Sequence, residues 1–290
     1  MSEAARNVVQ PTVIGERIEI RPGRFINIAR HIGAPEEKRV LFFCHGSGGN
    51  KDQWREQWQV LAAQGFHLVA WDMLGHGVSD KPKQAEAYAW NELVDDYLEV
   101  LRRYQGARNT LIAHSFGTGL TLSALAKLQQ TGSTANIESV LLLGSLLSRP
   151  QGRNPILSLP AWLLERLRPW LAKGFKDRAW HPTADPALIA YEQQLTERNP
   201  LYVFKSLMTQ ASWPTLSELD NITIRTHVMA GETDGLTPAA SGEALAQRLP
   251  NGSFELLEAC GHQLMLEKPQ AVLLALGRLL ERPVASGVTP

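Results

Sequence analysis

Between residues 13 and 30, VIGERIEIRPGRFINIAR, apolar and polar positions alternate on either side of Pro22-Gly23. A period of two that turns at a Pro-Gly pair predicts an antiparallel hairpin. Further on, short uninterrupted apolar runs alternate with stretches whose apolar residues recur every three or four positions. The runs predict strands at Val40–Cys44, His67–Trp71, Thr110–Ala113 and Val140–Leu143, and the longer period predicts helices over Gln53–Gln64, Glu86–Tyr104 and Phe116–Gln130. Strands without a polar side are covered on both faces, so this is an α/β chain with a mostly parallel sheet between helical layers.

The rhythm stops after Gly144. Residues 145 to 219 hold short helical patterns, many prolines (among them Pro150, Pro155, Pro160, Pro169, Pro182 and Pro186) and four of the eight tryptophans, with no convincing strand. We expect an inserted helical cap at 145–219, splitting a core domain into 13–144 and 220–282. The second part predicts a strand at Ile222–Ala230, a helix at Pro238–Arg248 capped by Thr237, a strand at Ser253–Glu258 and a closing helix at Glu267–Leu280. Residues 1–12 and 283–290 are expected to be loose tails.

Charge narrows the range of partners. Twenty-nine Lys and Arg balance twenty-nine Asp and Glu, so no global field draws the chain to nucleic acid or an anionic surface. No run approaches the roughly 18 apolar residues of a membrane span. MSEAARNVVQPT lacks the basic-then-apolar order of a secretory signal, which leads us to expect a cytoplasmic protein. The two cysteines, Cys44 and Cys260, form no disulfide framework or metal spacing and are expected to be small buried side chains.

In LFFCHGSGGNKDQW, residues 41–54, an apolar strand runs into a glycine-rich loop and then a helix, the layout of a phosphate cradle. A phosphate loop of the G-x-x-x-x-G-K-[ST] type fails here, because Asn50 stands for its last glycine and Asp52 for its hydroxyl. No G-x-G-x-x-G follows any predicted strand either.

The segment NTLIAHSFGTGL, residues 109–120, supplies a nucleophile. Ser115 falls where a strand gives way to a helix, with Ala113 two residues before and Gly117 two residues after. This is the G-x-S-x-G elbow with alanine in the first place; the tight turn demands small neighbours, and alanine is small enough. A serine needs a base, and the base needs an orienting group. Of eight histidines, His262 follows the last strand and Gly261, where a loop can carry its ring to Ser115. Asp234, after the penultimate strand, suits the third position, with Glu232 as its rival. The order Ser, Asp, His is that of the α/β-hydrolase arrangement.

HGSGG at 45–49, DMLGHGVSD at 72–80, AHSFG at 113–117, GETD at 231–234 and GH at 261–262 together resemble the α/β-hydrolase superfamily. Within it, VLFFCHGSGGN, GFHLVAWDMLGHGVSD, LEVLRRY and GHQLMLEKP look similar to the subgroup of abhydrolase domain-containing protein 8 and its bacterial relatives. The resemblance implies an α/β-hydrolase fold with Ser115 as nucleophile, Asp234 as acid and His262 as base. It implies an oxyanion hole from the backbone N–H groups of Ser47 and Phe116. It assigns Asp72, Gly75, His76 and Gly77 to a structural turn, and it needs neither metal nor organic cofactor. Lys51 then becomes a solvated residue at a helix start.

The implied activity is hydrolysis of a small or medium apolar carboxylic ester. Acyltransferases, carbon–carbon bond hydrolases and cofactor-free perhydrolases share the same triad, and a binding receptor on a retained scaffold is the alternative from another class. An aspartate nucleophile, as in dehalogenases and epoxide hydrolases, is absent. ILSLPAWLLERLRPWLAKGF, residues 156–175, could line an acyl pocket, touch lipid or simply pack on the core.

Overall fold

The computed structural model describes residues 10–133, 136–149 and 155–281. Eight strands form one sheet in the spatial order 1-2-4-3-5-6-7-8. Strands β1 (Glu16–Arg21) and β2 (Arg24–His31) make the expected hairpin. Its turn places Gly23 at φ +73°, a conformation that suits glycine. β2 also runs antiparallel to β4 (His67–Asp72). Every later pairing is parallel, through β3 (Arg39–Cys44), β5 (Arg108–His114), β6 (Ile137–Leu143), β7 (Arg225–Gly231) and β8 (Gly252–Leu257).

β3 shows why the central strands read as unbroken apolar runs. Val40, Phe42 and Cys44 enter one core while Leu41 and Phe43 enter the other. The first core is closed by α2 (Trp90–Tyr104), α3 (Phe116–Gln130) and α8 (Ala239–Arg248), the second by α1 (Arg55–Ala63) and α10 (Pro269–Leu280). Cys44 and Cys260 are free and buried, and burial raises both thiols, Cys260 to about 12. Among the described residues no helix is long and apolar enough to cross a membrane.

Three predicted helices are modified. Lys51–Trp54 is a 3-10 turn, and the α-helix starts at Arg55. The helix expected from Glu86 is a 3-10 turn over Ala85–Tyr88, an extended Ala89 and then α2. Tyr88 and Trp90 are both buried in the same core. Two residues apart on an α-helix they would point roughly 200° apart, so the chain straightens between them. The closing helix divides into a short α9 (Leu264–Glu267) and α10, because Lys268 precedes Pro269 and is pushed out of the helical region.

Between β6 and β7 the described chain is helical: α4 (Ala161–Ala179), α5 (Pro186–Thr196), α6 (Leu201–Gln210) and α7 (Leu216–Asp220), with no strand among the described residues. The N-terminal tail ends sooner than expected. The N–H and hydroxyl of Thr12 and the N–H of Val13 all donate to Asp52 Oδ1, at 2.6, 3.0 and 2.8 Å. Residues 1–9 and 282–290 lie outside the described residues.

Candidate active site

The loops after β3, β5, β7 and β8 all leave from the carboxyl edge of the parallel strands, where open α/β sheets bind ligands. Ser115 lies between β5 and α3 at φ +53°, ψ −122°, a strained backbone for a residue with a Cβ. The smallness of its neighbours has a direct cause. A Cβ on Gly117 would fall 2.6 Å from the carbonyl oxygen of His45, and one on Gly46 would fall 2.9 Å from Ser115 Cβ. The elbow and the glycine loop are therefore pressed together.

Ser115 is partly exposed, and its Oγ lies 2.9 Å from Nε2 of the buried His262. On the far side of the ring, Nδ1 meets Asp234 Oδ2 at 2.7 Å. Asp234 is held firmly. Its Oδ1 accepts the N–H groups of Leu236 and Thr237 at 2.8 Å each, and its Oδ2 accepts the Thr237 hydroxyl at 2.5 Å as well as His262. Burial works to raise its pKa, but the His262 bond and charge and the Thr237 bonds outweigh it, so the carboxyl titrates below its ordinary 3.8. Glu232 points elsewhere, being exposed and accepting the N–H of Ala259 at 2.9 Å.

Thr237 departs from expectation. It does not cap α8, whose N-cap position is Pro238 with no side-chain bond. The helix starts one residue later than a Thr237 cap requires, and the threonine hydroxyl donates instead to Asp234 Oδ2. The spacing Asp-x-x-Thr was the signal, since Asp commonly accepts N–H groups two and three residues on.

The His262 loop is built from further contacts. His262 N–H donates to Ala179 O at 2.7 Å, at the end of α4, and His114 Nε2–H donates to His262 O at 2.9 Å. Glu267 gathers three backbone N–H groups, from His181 at 2.9 Å and from Gly261 and Gln263 at 3.1 Å each. A Cβ at Gly144 would lie 3.2 Å from the His262 ring.

The glycine loop after β3 carries Ser47. The ring of His45 fixes its root, Nδ1–H donating to Gly46 O at 2.7 Å while Nε2 accepts Met73 N–H at 2.9 Å. Burial holds His45 neutral, with its pKa lowered to about 4. His76 Nε2 accepts Gly48 N–H at 3.1 Å, and burial followed by the charge of His45 lowers its pKa to about 3. Lys51 is not solvated. It is buried, with Nζ 2.9 Å from Asp72 Oδ2, and its N–H donates to Asp72 Oδ1 at 2.8 Å. The DMLGHG turn thus draws the lysine inward as its counter-ion. Phe116, the other expected oxyanion donor, opens α3 and packs its ring edge-on against Trp90 and Trp213, at 5.3 and 6.0 Å between centroids.

A profile described as the alpha/beta hydrolase family matches residues 41–276. The chain belongs to the alpha/beta hydrolase family. As a hydrolase-family chain it is 28% identical over 244 residues to human "Protein ABHD8", covering 80% of this chain and 53% of that one. It therefore spans about half the length of that relative. It is 25% identical over 241 residues to the non-heme chloroperoxidase CPO-A1 of Kitasatospora aureofaciens, covering 77% and 85% of the two chains. Among solved structures, an esterase from Exiguobacterium antarcticum superposes with a TM-score of 0.79 at 20% identity, covering 92% of this chain and 100% of that one. The fold is accordingly an α/β-hydrolase fold, with the hairpin at one edge of its sheet.

Proposed function

We propose that this hydrolase-family chain is a serine hydrolase that cleaves carboxylic esters of small or medium apolar substrates through an acyl-enzyme on Ser115. The observation that carries this reading is the unbroken line Ser115 Oγ, His262, Asp234, with contacts of 2.9 and 2.7 Å, set on a strained elbow. Such a line is what a serine needs in order to become a nucleophile.

In the reaction, His262 Nε2 takes the Ser115 proton as Oγ attacks the ester carbonyl. The N–H groups of Ser47 and Phe116 stabilise the oxyanion, each donor accounting for about 3 kcal/mol of transition-state stabilisation. His262 then returns the proton to the departing alcohol. Water, activated by the same imidazole, frees the acid and restores Ser115. Asp234 holds the ring in the tautomer with Nδ1–H and stabilises its charged form. The aromatic cluster of Phe116, Trp90 and Trp213 starts at the residue next to the nucleophile and supports an apolar acyl or alcohol group. In this reading the helices between β6 and β7 act as a cap over the core domain.

A chain-length series of p-nitrophenyl esters, run beside a fluorophosphonate probe, tests the proposal. Labelling of wild type but not of Ser115→Ala, with turnover greatest on short or medium acyl chains, is expected. Wild type that neither labels nor turns over any ester sinks it and favours a binding role.

A further inference from the structure

Asn199 lies between α5 and α6, far from the motifs around Ser115, yet it is buried and committed to the glycine loop. Its Nδ2 donates to Gly48 O at 2.7 Å and to Gly49 O at 3.3 Å, and its Oδ1 accepts Gly77 N–H at 2.9 Å. Only this orientation of the amide satisfies all three partners, since the reverse sets oxygen against two carbonyl oxygens. We infer that Asn199 is a positioning residue for the oxyanion hole, holding the N–H of Ser47 in its working direction.

The mechanical path runs through two planar peptides. In a trans peptide the C=O and the N–H point opposite ways, so fixing one fixes the other. Asn199 fixes the carbonyl of the Gly48–Gly49 peptide, whose N–H donates to Gly46 O at 3.1 Å. That oxygen belongs to the Gly46–Ser47 peptide, and the N–H of the same peptide is the proposed oxyanion donor. Gly48, at φ +80°, has a backbone that glycine takes easily, and glycine does not hold a conformation by itself. The clamp adds a hold from the helical segment to those that His45 places on Gly46 O and His76 on Gly48 N–H.

Asn199 is itself anchored from the helical segment, its carbonyl accepting from Arg168 Nη2 at 3.0 Å and its N–H donating to Thr196 O at 3.0 Å. Two neighbouring contacts tie α5 to the same region without reaching this peptide path: Tyr191 O–H to Asp52 Oδ2 at 2.6 Å and Arg55 to Glu192 at 2.6 Å. The oxyanion donor is thereby coupled to the helical segment through one side chain.

This inference rests on the serine hydrolase reading, and the experiment separates the two. Asn199→Asp keeps the shape and the acceptor for Gly77 but loses both donors, and Asn199→Ala removes the clamp without adding charge. With a p-nitrophenyl ester, each variant is expected to lose kcat by about 10- to 100-fold, less than the ~10²–10³-fold of a deleted donor. KM should stay within about threefold. Inhibition by a trifluoromethyl ketone, which binds as the tetrahedral oxyanion, should weaken in parallel with kcat/KM, because analogues of the transition state report on these donors. Tyr191→Phe, which loosens a neighbouring docking contact of α5 outside the peptide path, should keep kcat within about twofold of wild type. Active wild type with unchanged kcat and ketone affinity in the Asn199 variants overturns the inference alone. An equal loss in Tyr191→Phe also overturns it, in favour of general docking. Wild type without ester turnover or fluorophosphonate labelling overturns both readings.

Discussion

Thr237 gives its hydroxyl proton to Asp234 Oδ2 at 2.5 Å, and the same oxygen meets His262 Nδ1 at 2.7 Å. The threonine therefore acts on the imidazole by fixing the carboxylate, and its Oγ1 also lies 3.1 Å from His262 Nδ1. Thr237→Val keeps the shape and the backbone N–H to Asp234 Oδ1 but deletes the hydroxyl bond. A charge-assisted hydrogen bond of this kind contributes about 1.5–3 kcal/mol. Part of that stabilisation should be lost in the transition state, lowering kcat by about 3- to 30-fold with KM little changed. The Asp234 carboxyl should also titrate higher in the variant, since one of the bonds holding it ionised is gone. Wild-type kcat and an unmoved carboxyl titration would show that the hydroxyl has no part in setting Asp234.

The choice between the two acids after β7 follows from where they point. Asp234→Asn should cost about three to four orders of magnitude in kcat, because an amide there favours the wrong tautomer of His262. Glu232→Gln, which alters only the bond to Ala259 N–H, should stay within roughly threefold. Ester hydrolysis by the two purified variants checks both, and the opposite ranking would move the role to Glu232.

Lys51 and Asp72 form a buried ion pair, their side chains 5% and 1% exposed. Removing one partner strands the other, at a cost of about 3–5 kcal/mol. Lys51→Met should therefore lower the urea midpoint markedly. Adding Asp72→Asn to it should recover part of the loss, because the neutral amide can still accept Lys51 N–H and no uncompensated charge remains. A double variant less stable than Lys51→Met alone would mean that Asp72 matters through its other contact, the N–H of Val78.

The strands were readable because burial on both faces leaves a signature in every residue, as the alternation of Val40, Leu41, Phe42, Phe43 and Cys44 between two cores explains. Ser115, His262 and Asp234 were readable because each follows a strand within a short loop, and local pattern locates strand ends. What escaped the sequence has the opposite character. Asn199 reaches the glycine loop across a separation of 151 residues, and Glu267 reaches His181 across 86. Lys51 was misread because a lysine beside a glycine loop looks solvated until its carboxylate partner is brought 2.9 Å away by β4. The break between Tyr88 and Trp90 came from two aromatics competing for one core, which no helical period expresses.

Acid should unfold this protein through its neutral histidines. Burial lowers the pKa of His45 to about 4 and those of His76 and His114 to about 3, from an ordinary 6.5. A histidine depressed in the fold stabilises it fully above its unfolded pKa. As pH falls below 6.5 the unfolded chain binds protons that the native rings refuse, and the stabilisation is lost steadily until the native rings titrate near pH 3–4. Each ring contributes a slope of up to about 1.4 kcal/mol per pH unit in that window. The urea midpoint should therefore change little between pH 8 and 7 and fall progressively from about pH 6 to 4. His114 is the ring to test, because among the described residues its Nδ1 has no partner and its Nε2–H is used on His262 O. His114→Asn removes one of the depressed rings, which also include His227, so the decline should be shallower by about one proton. A midpoint that is level from pH 7 to 5 in wild type, or equally steep with and without His114, would show that these rings are not what acid attacks.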